Sequence, residues 1–132
     1  MKTKNQLLKQ FLIAVGLLTM TMLYAAETPT IINLKPTDVR FQVNLPTNPS
    51  TGYQWKINNY DQQLLRLISS EYASPESSAM GAPGEMQFIF EVIERGVMPK
   101  FTAIVFKYVR PWEKEEGKVK VITVNFRQSP SE

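Results

Sequence analysis

Apolar and polar residues alternate along several short segments of this 132-residue chain, and that period of two constrains its fold more than any other feature. Val39, Phe41, Val43 and Leu45, for example, are separated by single polar residues. Successive side chains of a β-strand point to opposite faces, so this pattern is typical of a strand with one buried face. No stretch of about ten residues or more shows the period of an amphipathic helix. The chain is therefore expected to be all-β.

Strands predicted in this way fill the sequence from Thr30 to Phe126. There are about seven, at Thr30–Leu34, Val39–Leu45, Tyr53–Ile57, Leu64–Tyr72, Met86–Val92, Phe101–Val109 and Lys118–Phe126. Leu64–Ile68 would also suit a helical turn, and we favour a strand there. Short strands separated by segments rich in Pro, Gly and Asn are typical of an immunoglobulin-like antiparallel β-sandwich. We predict a single domain at residues 27–132, with a frayed tail at residues 128–132.

Residues 1–26 have the three-part layout of a cleavable export signal. Three lysines lie near the start, an apolar run extends from Phe11 to Tyr24, and the small pair Ala25 and Ala26 follows. The alternative is a membrane anchor, but a helix needs about 20 apolar residues to cross a bilayer and this run is shorter. We therefore expect export to the periplasm or the surrounding medium, with no membrane attachment after cleavage.

The composition excludes several classes of function. The chain has no cysteine and no histidine, so thiol chemistry, Ser-His-Asp hydrolysis and the commonest transition-metal ligands are absent. Residues 27–132 carry twelve basic and twelve acidic side chains, a balance that argues against nucleic-acid binding. We expect no catalytic residues, no metal and no cofactor. An enzyme that uses a carboxylate pair such as Glu113 and Glu115 is a minor alternative, because runs of charge are usually solvated.

The connection between the second and third predicted strands contains Asn48-Pro49-Ser50-Thr51-Gly52-Tyr53, here called the Asn-Pro loop. Pro46 and Pro49 restrict the backbone, and Gly52 permits a positive φ where the chain re-enters a strand. The expected result is a stiff loop whose tip exposes the hydroxyls of Ser50 and Thr51. The alternative is an ordinary interstrand turn, because Asn-Pro and Thr-Gly are common turn sequences.

Two further connections have unusual sequences. The glycine-rich loop, Gly81-Ala82-Pro83-Gly84, closes a long segment that begins at Ser74 and is either functional or a mobile connection. The Arg-Pro-Trp loop, Arg110-Pro111-Trp112, follows an apolar strand and precedes a run of charge. Trp112 is therefore expected to be exposed, as in an interaction hot spot, and the alternative is an aromatic side chain that caps the core. In a seven-stranded sandwich these three loops lie at one end.

The three motifs, in this order and spacing, resemble those of the chagasin family of cysteine-protease inhibitors. The resemblance extends from about Thr30 to Phe126. Two positions depart from the family pattern. Ser50 stands where threonine is more frequent, and Pro83 stands where a glycine is expected and so removes one backbone N–H.

The resemblance implies an immunoglobulin-like domain that inhibits papain-like cysteine proteases tightly and reversibly. The Asn-Pro loop would enter the catalytic cleft, with Ser50 and Thr51 over the catalytic Cys and His of the protease. The glycine-rich loop would lie along the non-primed side, and the Arg-Pro-Trp loop would pack on the primed side. We expect a monomer whose partner is a papain-like protease, either endogenous or foreign. The alternative is a non-inhibitory immunoglobulin-like binding or adhesion module.

The export signal makes one prediction about the mature chain. Its N-terminus should be Ala26, Glu27 or Thr28, because signal cleavage follows small residues. N-terminal sequencing of protein from the extracytoplasmic fraction checks this expectation. Recovery of chains that begin at Met1 from that fraction would contradict it.

Overall fold

A computed structural model describes residues 28–77, 79–114 and 117–127 of the chain. The described residues form seven strands and one short 3₁₀ turn, and all seven predicted strands are confirmed. The strands are β1 (Thr30–Leu34), β2 (Arg40–Thr47), β3 (Gln54–Asn59), β4 (Leu65–Ala73), β5 (Gly84–Val92), β6 (Phe101–Val109) and β7 (Lys118–Phe126). The predicted export signal, the predicted tail at 128–132 and Glu115 lie outside the described residues. Within those residues, no helix is long and apolar enough to cross a membrane.

The strands form two sheets whose inner faces share one core, as in a β-sandwich. One sheet has the strand order β1-β7-β6-β3, and the other has the order β2-β5-β4. All pairs in the two sheets are antiparallel except β1–β7, which is parallel. The predicted antiparallel sandwich of about seven strands is therefore confirmed, and it includes one parallel pair, β1–β7, that was not predicted from the sequence. Alternation predicts which face of a strand is buried, but it contains no information on strand direction.

The core is built from the alternating apolar positions of both sheets. Its fully buried side chains include Phe90 of the three-stranded sheet and Ile104, Phe106 and Ile122 of the four-stranded sheet. Phe90 stacks on Phe41 of the neighbouring strand, with the ring centroids 5.5 Å apart. Because the chain has no cysteine, burial of apolar area rather than disulfide bonding stabilises the domain.

Strand β2 differs from the prediction at both ends. It begins at Arg40, and Val39, which the alternation placed on the buried face, is 55% exposed. It continues through Pro46 to Thr47, which we expected to lie in a turn. Proline is tolerated in this position because β2 is an edge strand, where one side of the backbone needs no partner. The extension brings the buried Thr47 to the base of the Asn-Pro loop.

The strand register brings three connections to the same end of the sandwich, here called the loop end. Thr47, the last residue of β2, pairs with Gly84, the first residue of β5. In the other sheet Gln54, the first residue of β3, pairs with Val109, the last residue of β6. The Asn-Pro loop joins β2 to β3 and therefore links the two sheets at this end. The Asn-Pro, glycine-rich and Arg-Pro-Trp loops thus share one end, as expected.

The packing predicts that two phenylalanines contribute very differently to the free energy of unfolding. Phe90→Ala should lower the free energy of unfolding by about 3–5 kcal/mol, because it leaves a cavity where the buried ring contacts Phe41 and Tyr60. Phe101→Ala removes the same atoms from a side chain that is 63% exposed, and it should cost less than about 1 kcal/mol. Urea unfolding followed by circular dichroism measures both changes. Equal losses in the two variants would contradict this core.

Candidate functional site

The Asn-Pro loop is held in shape by hydrogen bonds between its own residues. Pro49–Thr51 form a 3₁₀ turn, and Asn48 caps it by accepting hydrogen bonds from the Ser50 backbone N–H at 3.2 Å and the Ser50 hydroxyl at 2.6 Å. The Thr51 hydroxyl donates to the Asn48 carbonyl at 2.7 Å. The side chains of Ser50 and Thr51 are exposed at the tip, as expected. Their hydroxyls, however, are engaged within the loop and stabilise its conformation.

Gly52 ends this turn and is required there for two reasons. Its φ is +78°, in the left-handed region where residues with a Cβ are strained. A Cβ at this position would also collide with the indole ring of Trp112, which covers the glycine. The contact joins the Asn-Pro loop to the Arg-Pro-Trp loop.

Arg110 makes a second connection between the same two loops. Its Nε donates to the Thr51 carbonyl at 3.0 Å, and its guanidinium lies over the Tyr53 ring, 4.3 Å from the centroid. Its Nη1 also donates to Glu113 at 2.8 Å, and this bond raises the pKa of Arg110 above its ordinary value. The guanidinium therefore remains charged at any pH of interest and fixes the tip of the Asn-Pro loop from one side.

The alternative of an enzyme that uses Glu113 and Glu115 as a carboxylate pair finds no support in the described residues. Glu113 is ion-paired with Arg110, and its intended partner Glu115 lies outside the described residues. Within the described ranges, no three Asp, Glu, His or Cys side chains are placed to hold a metal ion.

Tyr108 of β6 holds the base of the Asn-Pro loop in position. Its ring is stacked between Tyr53, at a centroid distance of 5.1 Å, and Trp55, at 4.6 Å. Its hydroxyl accepts a hydrogen bond from the Asn48 backbone N–H at 3.3 Å and lies 3.4 Å from the Thr47 hydroxyl. Partial burial raises the pKa of Tyr108, but the hydrogen bonds to its oxygen outweigh burial and lower it below the ordinary value. A residue of the four-stranded sheet thus holds the end of β2 in the other sheet.

Trp112 is 70% exposed although the six-membered ring of its indole lies against Gly52. The prediction of an exposed tryptophan is confirmed, and the alternative of an aromatic side chain that caps the core is wrong. Pro111 beside it is also exposed. The loop end therefore presents a large, positioned aromatic side chain to solvent.

A tight turn at Ala79–Ala82, with an exposed methionine at its tip, overlaps the start of the glycine-rich loop. The Ala82 N–H donates to the Ala79 carbonyl at 3.2 Å, and Gly81 between them has a φ of +82°. Met80, at the other central position of this turn, is fully exposed. Gly81, Ala82 and Pro83 lie on the loop, whereas Gly84 is the buried first residue of β5. The N–H that Pro83 lacks is therefore missing from the exposed part of the loop.

Two features of the site were missed by sequence reasoning. Tyr108 was assigned to a strand without a role. Its alternation with Ile104 and Phe106 indicates the inner face, but its pairing with Trp55 is known only from the structure. Met80 was treated as part of a long connection, although it directly precedes Gly81. A large apolar residue directly before a turn glycine indicates an exposed side chain, because a residue at the tip of a turn has few neighbours. This signal could have identified Met80.

Comparison with known proteins identifies relatives of this chain. Residues 36–126 match the model of the chagasin family peptidase inhibitor I42. Amoebiasin-2 of Entamoeba histolytica is 31% identical over 83 residues, which cover 62% of this chain and 64% of that protein, slightly less than two thirds of its length.

Two solved structures share the fold. The crystal structure of EhICP2, a cysteine protease inhibitor from Entamoeba histolytica, matches with a TM-score of 0.59 and 26% identity over 76% of this chain and 88% of that chain. The solution structure of Amebosin matches with a TM-score of 0.51 and 22% identity, over 74% of this chain and 89% of the other. The family match spans more than half of the chain and includes all three loops. This protein therefore belongs to the chagasin family of peptidase inhibitors.

Proposed function

We propose that this protein inhibits papain-like cysteine proteases reversibly and competitively, by filling the active-site cleft with the three loops of the loop end. One observation carries the proposal. The Asn-Pro loop and the Arg-Pro-Trp loop are held together by the hydrogen bond from Arg110 to the Thr51 carbonyl and by the contact of Trp112 with Gly52. Membership of the chagasin family and the similarity to EhICP2, a cysteine protease inhibitor, support the choice of partner.

The locked loops favour tight binding because little remains to be ordered when the partner arrives. Each flexible side chain or loop that is immobilised on association costs binding free energy. In the Asn-Pro loop, the Asn48 cap, the 3₁₀ turn and the bond from Arg110 already hold the tip in one shape. A rigid, narrow tip suits a narrow cleft, and the exposed Trp112 beside it supplies apolar area for the flanking surface.

The inhibitor acts by occlusion rather than by chemistry. The chain contributes neither thiol nor imidazole, so it offers no nucleophile of the usual kind to the protease. The exposed hydroxyls at the tip are engaged with Asn48, which lowers their availability for reaction. We expect no covalent adduct and no turnover. The complex should form from one inhibitor monomer and one protease, and the inhibitor should act outside the cytoplasm after export.

The competing proposal is a non-inhibitory immunoglobulin-like binding or adhesion module. The sandwich alone would serve either purpose, because fold does not imply function. The features that favour inhibition are specific to the loop end, namely the capped tip, the glycine-rich turn and the exposed tryptophan. An adhesion module has no requirement for this combination.

Titration of papain with the purified protein tests the proposed function. Activity should fall with competitive kinetics and return on dilution, and the intact mass of both proteins should remain unchanged. Persistent activity at a large excess of inhibitor, or cleavage between Ser50 and Thr51, would contradict the model.

Thr51→Arg should weaken inhibition by roughly tenfold or more, because a tip fitted to a narrow cleft cannot accept added volume. Thr37→Arg, at an exposed site on the opposite end, is the matched control and should inhibit like the parent.

A second prediction concerns the Arg-Pro-Trp loop. Trp112→Ala should weaken inhibition by about 2 kcal/mol, or about thirtyfold, as truncation of a hot-spot tryptophan does. Phe101→Ala truncates another exposed aromatic side chain at the opposite end of β6 and should leave the inhibition constant unchanged. Inhibition constants against papain measure both effects, with circular dichroism as the folding control. A folded Trp112→Ala variant that inhibits like the parent would remove Trp112 from the binding surface.

A further inference from the structure

Met80 is the most exposed large apolar side chain of the described residues. Its relative exposure is 102%, because it occupies a central position of the turn between Ala79 and Ala82. The positive φ of Gly81 defines the shape of this turn and leaves Met80 at its tip. Exposure to this extent leaves the whole thioether side chain accessible to solvent and to dissolved reagents.

The other methionines of the described residues are better protected. Met86 lies in β5 and packs against the core, and Met98 is half-buried in the connection between β5 and β6. The chain has no cysteine, so no thiol competes with methionine for an oxidant. Among the three methionines of the described residues, an oxidant in solution should therefore react first at the thioether of Met80.

Met80 also lies at the end of the molecule where the proposed inhibitory surface is found. The glycine-rich loop leads into Gly84, which pairs with Thr47 at the base of the Asn-Pro loop. A thioether is flexible and polarizable, and it adapts well to an apolar surface of a partner. Its oxidation would place a polar group where the complex needs an apolar one.

We propose that Met80 is an oxidation site at which conversion of the thioether to the sulfoxide weakens protease inhibition, an inference that rests on the proposed function. The oxidant is a peroxide. A lone pair of the Met80 sulfur attacks one peroxide oxygen, the O–O bond breaks, and the sulfur–oxygen bond forms. The sulfur loses two electrons, the hydroxyl bound to it gives its proton to the leaving hydroxide, and hydrogen peroxide is thereby reduced to water. The product is polar and must be desolvated on binding, which opposes the complex. Methionine sulfoxide reductases restore the thioether, so the change is reversible.

The experiment oxidises the purified protein with limiting hydrogen peroxide and removes the excess with catalase before papain is added. This order protects the catalytic thiol of the protease from the oxidant. Peptide mapping by mass spectrometry should show one added oxygen at Met80 before Met86 or Met98. The inhibition constant should rise by roughly tenfold or more, and treatment with methionine sulfoxide reductases should reverse the rise.

Two variants make the test specific. The inhibition constant of Met80→Leu, whatever its starting value, should be the same before and after oxidation. Met98→Leu, at the opposite end of the sandwich, should retain the sensitivity of the parent. Oxidation that appears first at Met86 or Met98, an inhibition constant that is unchanged once Met80 is oxidised, or an equal loss in Met80→Leu would each overturn the proposal. Failure of the proposed function is recognised separately, because the untreated protein would then not inhibit papain at all.

Discussion

The stacking and hydrogen bonding of Tyr108 determine the shape of the loop end. Tyr108 belongs to β6, and its ring lies between Tyr53 and Trp55 of the adjacent segment. Its hydroxyl reaches the other sheet, where the Asn48 N–H donates to it. No strand is shared between the two sheets in the described part of the chain, so contacts of this kind fix one sheet against the other at this end. The position of the Asn-Pro loop depends on this contact because Asn48 is also the cap of its 3₁₀ turn.

The core and the loop end have separate roles. The core is formed by buried side chains on the inner faces of both sheets, and it stabilises the domain without disulfide bonds. The loops use a different set of contacts, which are hydrogen bonds, an aromatic stack and the guanidinium of Arg110 over Tyr53. Substitutions at exposed loop positions should therefore change binding while the sandwich remains folded. This separation allows one scaffold to present an adaptable binding surface.

The loop end combines rigid polar contacts with two exposed apolar side chains. Trp112 is positioned by Gly52, whereas Met80 extends from a turn and is fully exposed. Burial of both by a protease would supply apolar area at two sides of the capped tip. The exposure that makes Met80 available to a partner also makes its sulfur available to a peroxide. Binding strength and sensitivity to oxidation would thus arise from the same physical feature.

The sequence by itself determined the strands, their buried faces and the three loops. Alternation predicts which side of a strand faces the core, and clusters of Pro, Gly and Asn predict the connections, because both depend on local backbone geometry. The exact strand ends were not predicted, since Pro46 and Gly84 lie inside strands and Val39 is exposed. The sequence also predicted the exposure of Trp112 from the neighbouring charge. The tertiary structure alone decided the parallel pairing of β1 with β7, the extension of β2 to Thr47, and the burial of Gly84. It also decided that the tip hydroxyls bond within their own loop and that Tyr108 joins the sheets. These features depend on which strands become neighbours, and contacts between residues far apart in the chain leave no periodic signal in the sequence.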